Sequence, residues 1–347
     1  MHSSTTSAAF INHVLEIAAK HGCDPQRLIQ QTGLSASQLD DPIKRVGLCK
    51  LRALFAAAVE TSGLAHFGLL VGATVRPATY GGLGYVAMTS ATLGEATAMI
   101  RRFGKMVFDN PSSRTYLTIN EGVAMLEDRR ITELEPYCAR HMDSILSGWT
   151  AYGRWLTGSD PALVEVHMMH APPADPAEYE RFFGCPVRYN SRTNALLFPV
   201  EALQLPVCGA DRRTHKSMLL EAELQMNHSY ASLSISRRVR ALLMERLAHG
   251  ESHLEALADE MAMSPRTLQR KLAAEDESFS SILESVRLEL AEHYLRLSDL
   301  SILNIAFALG FSESSAFSHA FRQSRGISPG DYRKRHSLDC AQVNWRP

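Results

Sequence analysis

The sequence predicts an α+β domain followed by an all-α domain with two helix-turn-helix units joined by a long helix. Three observations support this fold class. A helix-turn-helix pattern occurs twice near the end of the chain, one amphipathic helix separates the copies, and the first two thirds mix helical with alternating patterns. The 347 residues are enough for two hydrophobic cores.

The first part of the chain combines helices with strands. Apolar residues at helical spacing predict helices over residues 8–20, 48–62, 93–108, 131–156 and 176–183, and a short helix that begins at residues 22–25. Gly63 and Gly184 should end two of these helices, and Pro136 must kink another or lie in its first turn. Alternating patterns predict strands over residues 114–119 and 123–128, paired as a hairpin, and over residues 163–169, 186–189 and 195–198.

A connecting segment is predicted at residues 207–233. It contains a helix over residues 212–227, and residues 228–232 are the expected hinge, so cleavage there should separate two folding units. The domain before this segment covers residues 8–206, the domain after it covers residues 234–336, and residues 337–347 form a tail.

The first helix-turn-helix pattern lies at residues 254–272. Ser264 is a suitable cap and Pro265 a suitable first residue for its second helix. Leu268 and Leu272 are one turn apart and should face inward. The opposite, outward face then carries Arg266, Gln269 and Arg270.

The second pattern lies at residues 305–322 and has one extra residue in its turn. Gly310 can adopt the positive φ that ends the first helix, and Ser312 is expected to cap the second. Phe317 and Phe321 should face inward like the two leucines of the first copy. The register pairs Arg266 with Ser315, Gln269 with Ser318 and Arg270 with His319, and the outward face carries Ser314, Ser315, Ser318, His319 and Arg322.

The outward residues suit the edges of DNA bases. Arginine can donate two hydrogen bonds to guanine, glutamine can bond adenine in a similar way, and serine can bond either base. One such helix alone could equally be a solvated surface, but two copies in register favour DNA binding. The amphipathic helix over residues 279–297 would hold the copies at a fixed separation, with contacts about 34 Å apart in successive major grooves.

These residues resemble the DNA-binding domain of the AraC/XylS family of bacterial transcription regulators. The residues 305–322 and the closing motif at residues 326–333, Gly-Ile-Ser-Pro-Gly-Asp-Tyr-Arg, carry the resemblance, which covers residues 235–336. It implies base contacts from the first turns of both recognition helices, that is, from Arg266, Gln269, Arg270, Ser314, Ser315, Ser318 and His319. The second set is short and weakly basic, so we expect the first helix to read more of the sequence.

Phosphate contacts must come from local basic patches, because residues 234–347 contain fifteen Lys/Arg and fifteen Asp/Glu. The candidate phosphate contacts are Lys271, Arg322, Arg325, Arg333 and Arg335. The alternative interpretation of these patches is ordinary charge on a helix surface.

The first domain resembles the effector-binding domain of one branch of the same family, an arabinose-binding-like α+β domain that begins mostly with helices. Residues 80–85, 91–96 and 183–187 carry this less specific resemblance, which covers residues 10–206. It implies a domain that senses a small molecule and mediates dimerisation. The aromatic residues Trp149, Tyr152 and Trp155 are expected in a core or dimer face rather than in pocket walls, so the effector residues stay unknown.

Several other classes of site are not expected. The six cysteines lack C-x-x-C spacing, which predicts reduced thiols without a disulfide framework or zinc site. His167 and His170 should point to opposite sides of a strand, so they are a poor metal pair. Residues 81–84 are glycine-rich but are expected to form a turn rather than a nucleotide loop, and no cofactor is expected. No apolar run predicts a membrane span, and the opening residues do not suggest a signal peptide.

The sequence therefore predicts a sequence-specific DNA-binding regulator that is controlled by a small-molecule effector. The expected partners are double-stranded operator DNA, a second copy of the chain as a homodimer, and RNA polymerase as a candidate, all in the cytoplasm. Two alternatives stay open. The first domain could only dimerise or bind a protein, or it could be an enzyme with an attached DNA-binding module, although no catalytic motif supports an enzyme.

Overall fold

A computed structural model describes residues 4–110, 113–130, 138–231, 234–247, 252–297 and 300–336. The chain forms two compact units, Met1–Asn227 and His228–Pro347. The division falls at the start of the predicted hinge, but residues 228–231 continue a helix rather than interrupt it.

The first unit combines helices with two small sheets, as an α+β fold requires. Its helices are α1 (Ala8–Lys20), α2 (Pro25–Gln31), α3 (Ala36–Leu39), α4 (Leu48–Ser62), α5 (Phe67–Ala73), α6 (Gly82–Thr89), α7 (Leu93–Phe103), α8 (Ala139–Thr157), α9 (Pro176–Phe183) and α10 (Arg212–Ala231). Its strands are β1 (Thr5–Ser7), β2 (Arg45–Gly47), β3 (Phe108–Asp109), β4 (Ser113–Asn120), β5 (Val123–Arg130), β6 (Glu165–His167), β7 (Val187–Arg188) and β8 (Asn194–Pro199).

Helices that carry their own end signals match their predicted bounds. Helices α1, α4 and α9 begin and end at the predicted residues, and Gly63 and Gly184 follow α4 and α9 in the left-handed conformation. Asp24 caps α2 by accepting a hydrogen bond from the Gln26 N–H. The bounds of these helices are set by local residues, namely glycines that follow a helix or a polar side chain that caps its start.

Two predicted helices have different bounds. The helix predicted over residues 93–108 ends at Phe103, because a 3-10 turn follows and β3 pairs with β1 from residue 108. The helix predicted over residues 131–156 is described only from Ala139, after the extended residue Cys138, and residues 131–137 lie outside the described part. The strand predicted over residues 163–169 is shorter and covers Glu165–His167.

The larger sheet has the strand order β4-β5-β8-β6-β7. Its first two strands form the predicted hairpin, whose turn residues Glu121 and Gly122 have φ of 48° and 80°. Positive φ at both positions gives the turn that matches the twist of the strands. The face that packs against α8 and α9 contributes Leu126, Leu196 and other apolar residues to a core.

Helices α5 and α8 approach so closely that only glycine fits between them. A Cβ atom on Gly68 would lie 2.2 Å from the Arg140 carbonyl oxygen, and one on Gly72 would lie 2.4 Å from the Ser144 carbonyl oxygen. Contacts this short do not occur between real atoms, so the two backbones pack directly against each other. This contact joins the α4–α5 region to the α8 wall of the larger sheet.

Helix α8 also carries a buried carboxylate. Asp143 Oδ2 accepts hydrogen bonds from the Tyr179 hydroxyl at 2.8 Å and the Arg140 guanidinium at 3.1 Å, and Oδ1 lies 2.8 Å from His170 Nε2. Burial lowers the pKa of His170, but Asp143 and the Ala171 carbonyl together raise it, so the pKa lies above its usual value. His170 is therefore a nearly buried histidine with a carboxylate partner.

The second unit is helical. Its helices are α11 (Ile235–Arg246), α12 (Leu254–Glu260), α13 (Pro265–Ala273), α14 (Phe279–Leu297), α15 (Ile302–Ala308), α16 (Ser314–Arg325) and α17 (Pro329–His336). Helices α12 and α13 form one helix-turn-helix unit and α15 and α16 the other. The fold class predicted from the sequence is confirmed, including the bounds of the long helix α14, which is 19 residues long and spans about 28 Å.

Among the residues that the structure describes, no single helix is both long and apolar enough to cross a membrane. Helices α4 and α5 pass this test only when joined, and a bend of 110° separates them.

We predict that Gly72→Ala destabilises the first unit by about 1–3 kcal/mol, because the added methyl group would force α5 and α8 apart. Urea unfolding followed by circular dichroism measures the change. Gly104→Ala is the matched control, since Gly104 has a helical φ of −54° and its Cβ would meet no atom within 4 Å. Equal stability of the two variants would contradict a close contact at Gly72.

Candidate nucleic-acid interface

The turn of the first helix-turn-helix unit is fixed by backbone hydrogen bonds and one left-handed residue. Ala262 has a φ of 52°, and the Met263 N–H donates to the Ala258 carbonyl at 2.9 Å. Ser264 then accepts a hydrogen bond from the Thr267 N–H at 3.2 Å, and Pro265 opens α13. The predicted cap and first residue of this helix are confirmed.

The second unit repeats this turn. Gly310 has a φ of 71°, and the Phe311 N–H donates to the Ala306 carbonyl at 2.9 Å. The prediction that Ser312 caps α16 is wrong, because the extra turn residue moves the cap position to Glu313. Glu313 does not cap through its side chain, and it instead accepts a hydrogen bond from Ser315 Oγ at 2.9 Å.

The inward residues of the two recognition helices, α13 and α16, are buried as predicted. Leu268 and Leu272 are 0% exposed, and Phe317 and Phe321 are 2% exposed. Two buried residues one turn apart fix the rotation of a helix about its axis, because both must point into the core. The face opposite these residues is therefore defined for both helices.

The predicted base-reading residues of α13 form an exposed surface. Arg266, Gln269 and Arg270 all lie on this face, and within the described part of the chain none of their side chains has a hydrogen bond or ion pair. Their donors are free to bind a ligand. Side chains that are exposed, adjacent and without partners are suited to hydrogen bonds with base edges.

The corresponding residues of α16 have less hydrogen-bonding capacity. Ser315 and His319 are exposed, whereas Ser314 and Ser318 are half-buried. Ser315 already donates to Glu313. A carboxylate at the start of this helix also repels phosphate, so the second surface is weaker than the first.

The candidate phosphate contacts differ in whether their side chains are already bonded within the protein. Lys271, Arg322 and Arg335 are exposed. Arg325 forms an ion pair with Glu292 of α14, and the Arg333 guanidinium donates to the Leu300 carbonyl at 2.6 Å. Arg325 and Arg333 are therefore engaged inside the unit, and the three exposed residues are better placed for DNA.

The closing motif at residues 326–333 has a structural role. Ser328 Oγ accepts a hydrogen bond from the Asp331 N–H and donates to the Asp331 carboxylate at 2.6 Å, which caps α17. The Tyr332 ring packs edge-on against Phe321 at 5.2 Å. Tyr332 therefore supports the inner side of α16, and Arg333 joins α17 to the segment just before α15.

Sequence analysis missed Arg287, the residue of α14 that supports the second unit. Its guanidinium donates to the carbonyls of Leu309 and Gly310 at 2.9 and 3.0 Å and lies 4.6 Å from the centre of the Phe311 ring. It thus binds the turn between α15 and α16. The only signal in the sequence is a basic residue beside the apolar positions 286 and 290, which does not identify its partner.

Sequence analysis also missed Glu275, which follows α13 in the first unit. Its carboxylate accepts hydrogen bonds from the N–H groups of Ile235 and Ser236, the first two residues of α11, at 2.7 and 2.8 Å. Burial raises the pKa of Glu275, but these hydrogen bonds lower it below its usual value overall. The charged carboxylate therefore joins α11 to the end of α13.

The first unit contains an apolar cavity of about 60 Å³ between α7, α8 and the larger sheet. Trp149, Tyr152 and Gly153 line it from α8, and Leu196 and Phe198 line it from β8. Two of its polar side chains have partners in the protein: the Tyr152 hydroxyl donates to the Gly84 carbonyl, and Arg154 donates to Asp160 and to two carbonyls. Tyr152 is buried in the core as expected and Trp149 packs against a core, and both also line the cavity.

Among the described residues, no group of three or more His, Cys, Asp or Glu side chains could hold a metal ion.

Comparison with known proteins gives two matching family models. Residues 22–207 match the arabinose-binding N-terminal domain of AraC transcription regulators, and residues 257–335 match a helix-turn-helix domain. The chain is 27% identical to the ornithine utilization regulator of Pseudomonas aeruginosa over 329 residues, which cover 94% of this chain and 95% of the relative. It is 29% identical to the transcriptional regulator VirS of Mycobacterium tuberculosis over 290 residues, or 82% of each chain.

A solved structure, the transcriptional regulator CdpR of Pseudomonas aeruginosa, is 22% identical with a TM-score of 0.45 and covers 94% of this chain and 98% of its own.

We predict that Ser264→Ala lowers the stability of the second unit by about 1 kcal/mol, because the Thr267 N–H loses its acceptor at the start of α13. Thermal unfolding measures the change. Ser312→Ala is the matched control and should change stability by less than about 0.5 kcal/mol, because Ser312 is not at the cap position. A larger loss for Ser312→Ala than for Ser264→Ala would contradict the assignment of both caps.

Proposed function

Because this chain belongs to the AraC family of transcription regulators, we propose that it reads a specific operator through both helix-turn-helix units. It is a transcriptional regulator with a DNA-binding helix-turn-helix domain and an arabinose-binding-like domain. The observation that carries the proposal is the exposed, unpartnered row Arg266, Gln269 and Arg270 on a capped helix. Because the buried residues Leu268 and Leu272 fix the rotation of α13, all three side chains lie on its exposed face.

In this proposal α13 reads more of the operator sequence than α16. Arg266 and Arg270 supply forked donors for guanine, and Gln269 supplies a donor and an acceptor for adenine. Ser314, Ser315, Ser318 and His319 contribute shorter contacts from α16. Lys271, Arg322 and Arg335 bind phosphate and fix the register without reading sequence.

The proposed domains are residues 8–206 for effector binding and dimerisation, 207–233 for the connection, and 234–336 for DNA binding. Packing of α10 supports a semi-rigid connection, since Ala222 is 0% exposed in the core of the first unit. A homodimer, contact with RNA polymerase and a cytoplasmic location complete the proposal. Membership of the family supports the homodimer and the contact with RNA polymerase. The cytoplasmic location is proposed because bacterial DNA lies in the cytoplasm.

We also propose that the effector binds at the cavity of the first unit. The cavity of about 60 Å³ is below the roughly 300–1,000 Å³ of ligand pockets, so its walls must move apart to admit a ligand. The walls are mainly apolar, and the Tyr152 hydroxyl and the Arg154 guanidinium are bonded to the protein itself, so they favour a small uncharged apolar molecule. A sugar would leave its hydroxyl groups without partners there, at a cost in free energy. The family description mentions arabinose, but the cavity walls do not favour it.

Two other functions stay in competition with this proposal. An enzyme would need an activated nucleophile or a metal, and burial raises the pKa of the Cys23, Cys138 and Cys185 thiols, which makes them less reactive. The relatives are also named as regulators rather than enzymes. A regulator without an effector would have the same DNA interface, and only a ligand test distinguishes it.

We predict that selection of genomic DNA fragments on the full-length protein recovers a few intergenic sites with a shared motif. The variant Gln269→Ala, Arg270→Ala should lose these sites. On the best site, Arg270→Ala should weaken binding by about 1–3 kcal/mol, and the loss on random DNA should be much smaller.

The control for this experiment is Arg335→Ala. Removal of a phosphate contact should weaken specific and random DNA about equally and reduce the dependence of affinity on salt. If Arg270→Ala also lost equal affinity on both kinds of DNA, Arg270 would be a phosphate contact and the proposed reading surface would be wrong.

We predict that a small apolar effector stabilises the wild-type protein and not the variant Gly153→Leu. A Cβ on Gly153 would meet only Leu93, at 3.8 Å, so a leucine there can extend into the cavity. A ligand at a hundred times its dissociation constant should add about 2.7 kcal/mol to the unfolding free energy. A thermal-shift screen that follows tryptophan fluorescence detects this change. A regulator without an effector would show no ligand-dependent shift in either protein.

A further inference from the structure

The second unit contains a larger opening than the first, a groove of about 360 Å³ between α14 and α16. Four phenylalanines form much of its wall: Phe279, Phe311, Phe317 and Phe321. Leu283 and Leu288 of α14 complete the apolar surface. The volume lies in the range of small-molecule sites, and the aromatic walls suit a flat apolar group.

One end of the groove is positively charged. Arg287 lines it, and its Nε and Nη2 atoms are bound to the carbonyls of Leu309 and Gly310. These two bonds and the stacking on Phe311 hold the guanidinium in place, while Nη1 has no partner among the described residues. A guanidinium fixed in this way offers a preorganised donor to an anion.

The same groove includes the start of α14. Phe279 and Ser280 are its first two residues, and no acceptor within the described residues meets their N–H groups. Free N–H groups at the start of a long helix carry partial positive charge, but this start lies about 12 Å along α14 from Arg287, so the two positive features are at different places in the groove. Glu284 lies at the exposed rim and repels negative charge, so Arg287 is the place in the groove where a single carboxylate is favoured.

The two helix-turn-helix units differ at this place. In the first unit, Glu275 is the eleventh residue after the cap Ser264, and its carboxylate binds the first N–H groups of α11. In the second unit, the eleventh residue after the cap position Glu313 is Ser324, which lines the groove. The first unit thus supplies its own carboxylate, and the second has a short hydroxyl beside an open groove.

From these observations we propose that the groove between α14 and α16 binds a small monocarboxylate with an apolar body. The carboxylate is bound by Arg287 at one end of the groove. The apolar body lies against the phenylalanines and extends toward Ser324, the position that Glu275 has in the first unit. The site belongs to the DNA-binding unit, is separate from the cavity of the first unit, and does not depend on the effector proposed there. A ligand that contacts Phe317 and Phe321 acts on the residues that orient α16.

Isothermal titration calorimetry of the full-length protein tests the charge requirement with three matched probes, 4-phenylbutyrate, 4-phenylbutanol and 4-phenylbutylamine. The acid should bind roughly tenfold more tightly than the alcohol, because it forms a charge-assisted hydrogen bond with Arg287. The amine should bind most weakly. Equal affinity for the acid and the alcohol would overturn the role of Arg287.

Two variants test the location. Ser324→Glu places a charged carboxylate beside the apolar body of the ligand, at the position that Glu275 has in the first unit, and should weaken binding of 4-phenylbutyrate by roughly tenfold or more. Ser324→Ala is the matched control and should bind like the wild type, because it removes only the hydroxyl group. Ser324 is exposed, so neither variant is expected to disturb the fold.

Ala320→Phe gives an independent test, since it fills the groove from α16 without a change of charge. It should abolish binding of all three probes. If this variant unfolds, Ser324→Glu decides the question alone. Affinity for 4-phenylbutyrate that is unchanged in Ser324→Glu would place the ligand elsewhere, including the cavity of the first unit, and would overturn the proposal.

Discussion

Each helix-turn-helix unit depends on one residue held at positive φ at the end of its first helix. Ala262 has this role in the first unit and Gly310 in the second, and in both the next N–H returns to a carbonyl of the first helix. This bond closes the first helix and sets the direction in which the second one leaves. Burial of Leu268 and Leu272, or of Phe317 and Phe321, then fixes the rotation of the second helix, so the outward residues are determined by the turn and the core together.

Because the two units share the same turn, the residues at which they differ indicate how their roles differ. Position by position, the first recognition helix has Arg266, Gln269 and Arg270 where the second has Ser315, Ser318 and His319. The second unit also uses its basic residues internally: Arg287 binds the turn, Arg325 binds Glu292, and Arg333 binds a carbonyl. Its arginines therefore mainly support the position of α16, whereas those of α13 are free for a partner.

Local signals predicted much of this structure, and non-local contacts account for the errors. Helices α1, α4, α9 and α14 have their predicted bounds, because caps, glycines and apolar spacing are encoded within a few residues. Helix α7 ends early because β3 pairs with β1, about a hundred residues away in sequence. No local sequence pattern predicts this pairing. The outward faces of α13 and α16 were predictable from periodicity. The partners of Arg287, Glu275 and Arg333 lie 22 to 40 residues away, so their roles required the fold.

Control of DNA binding by an effector requires that the first unit respond to ligand in a part that the second unit can sense. The cavity is lined by α7, including Leu93 and Ile100, and α10 packs against the same core through Met218, Leu219 and Ala222. The ion pair between Arg102 of α7 and Glu223 of α10 is half-exposed and contributes little, so apolar packing must dominate the contact. In the proposed mechanism, a ligand that changes the packing of α7 would change the support of α10, the helix at the end of the first unit. A flexible linker could not transmit such a change. Helix α10 differs from a flexible linker because Ala222 is buried in the core of the first unit.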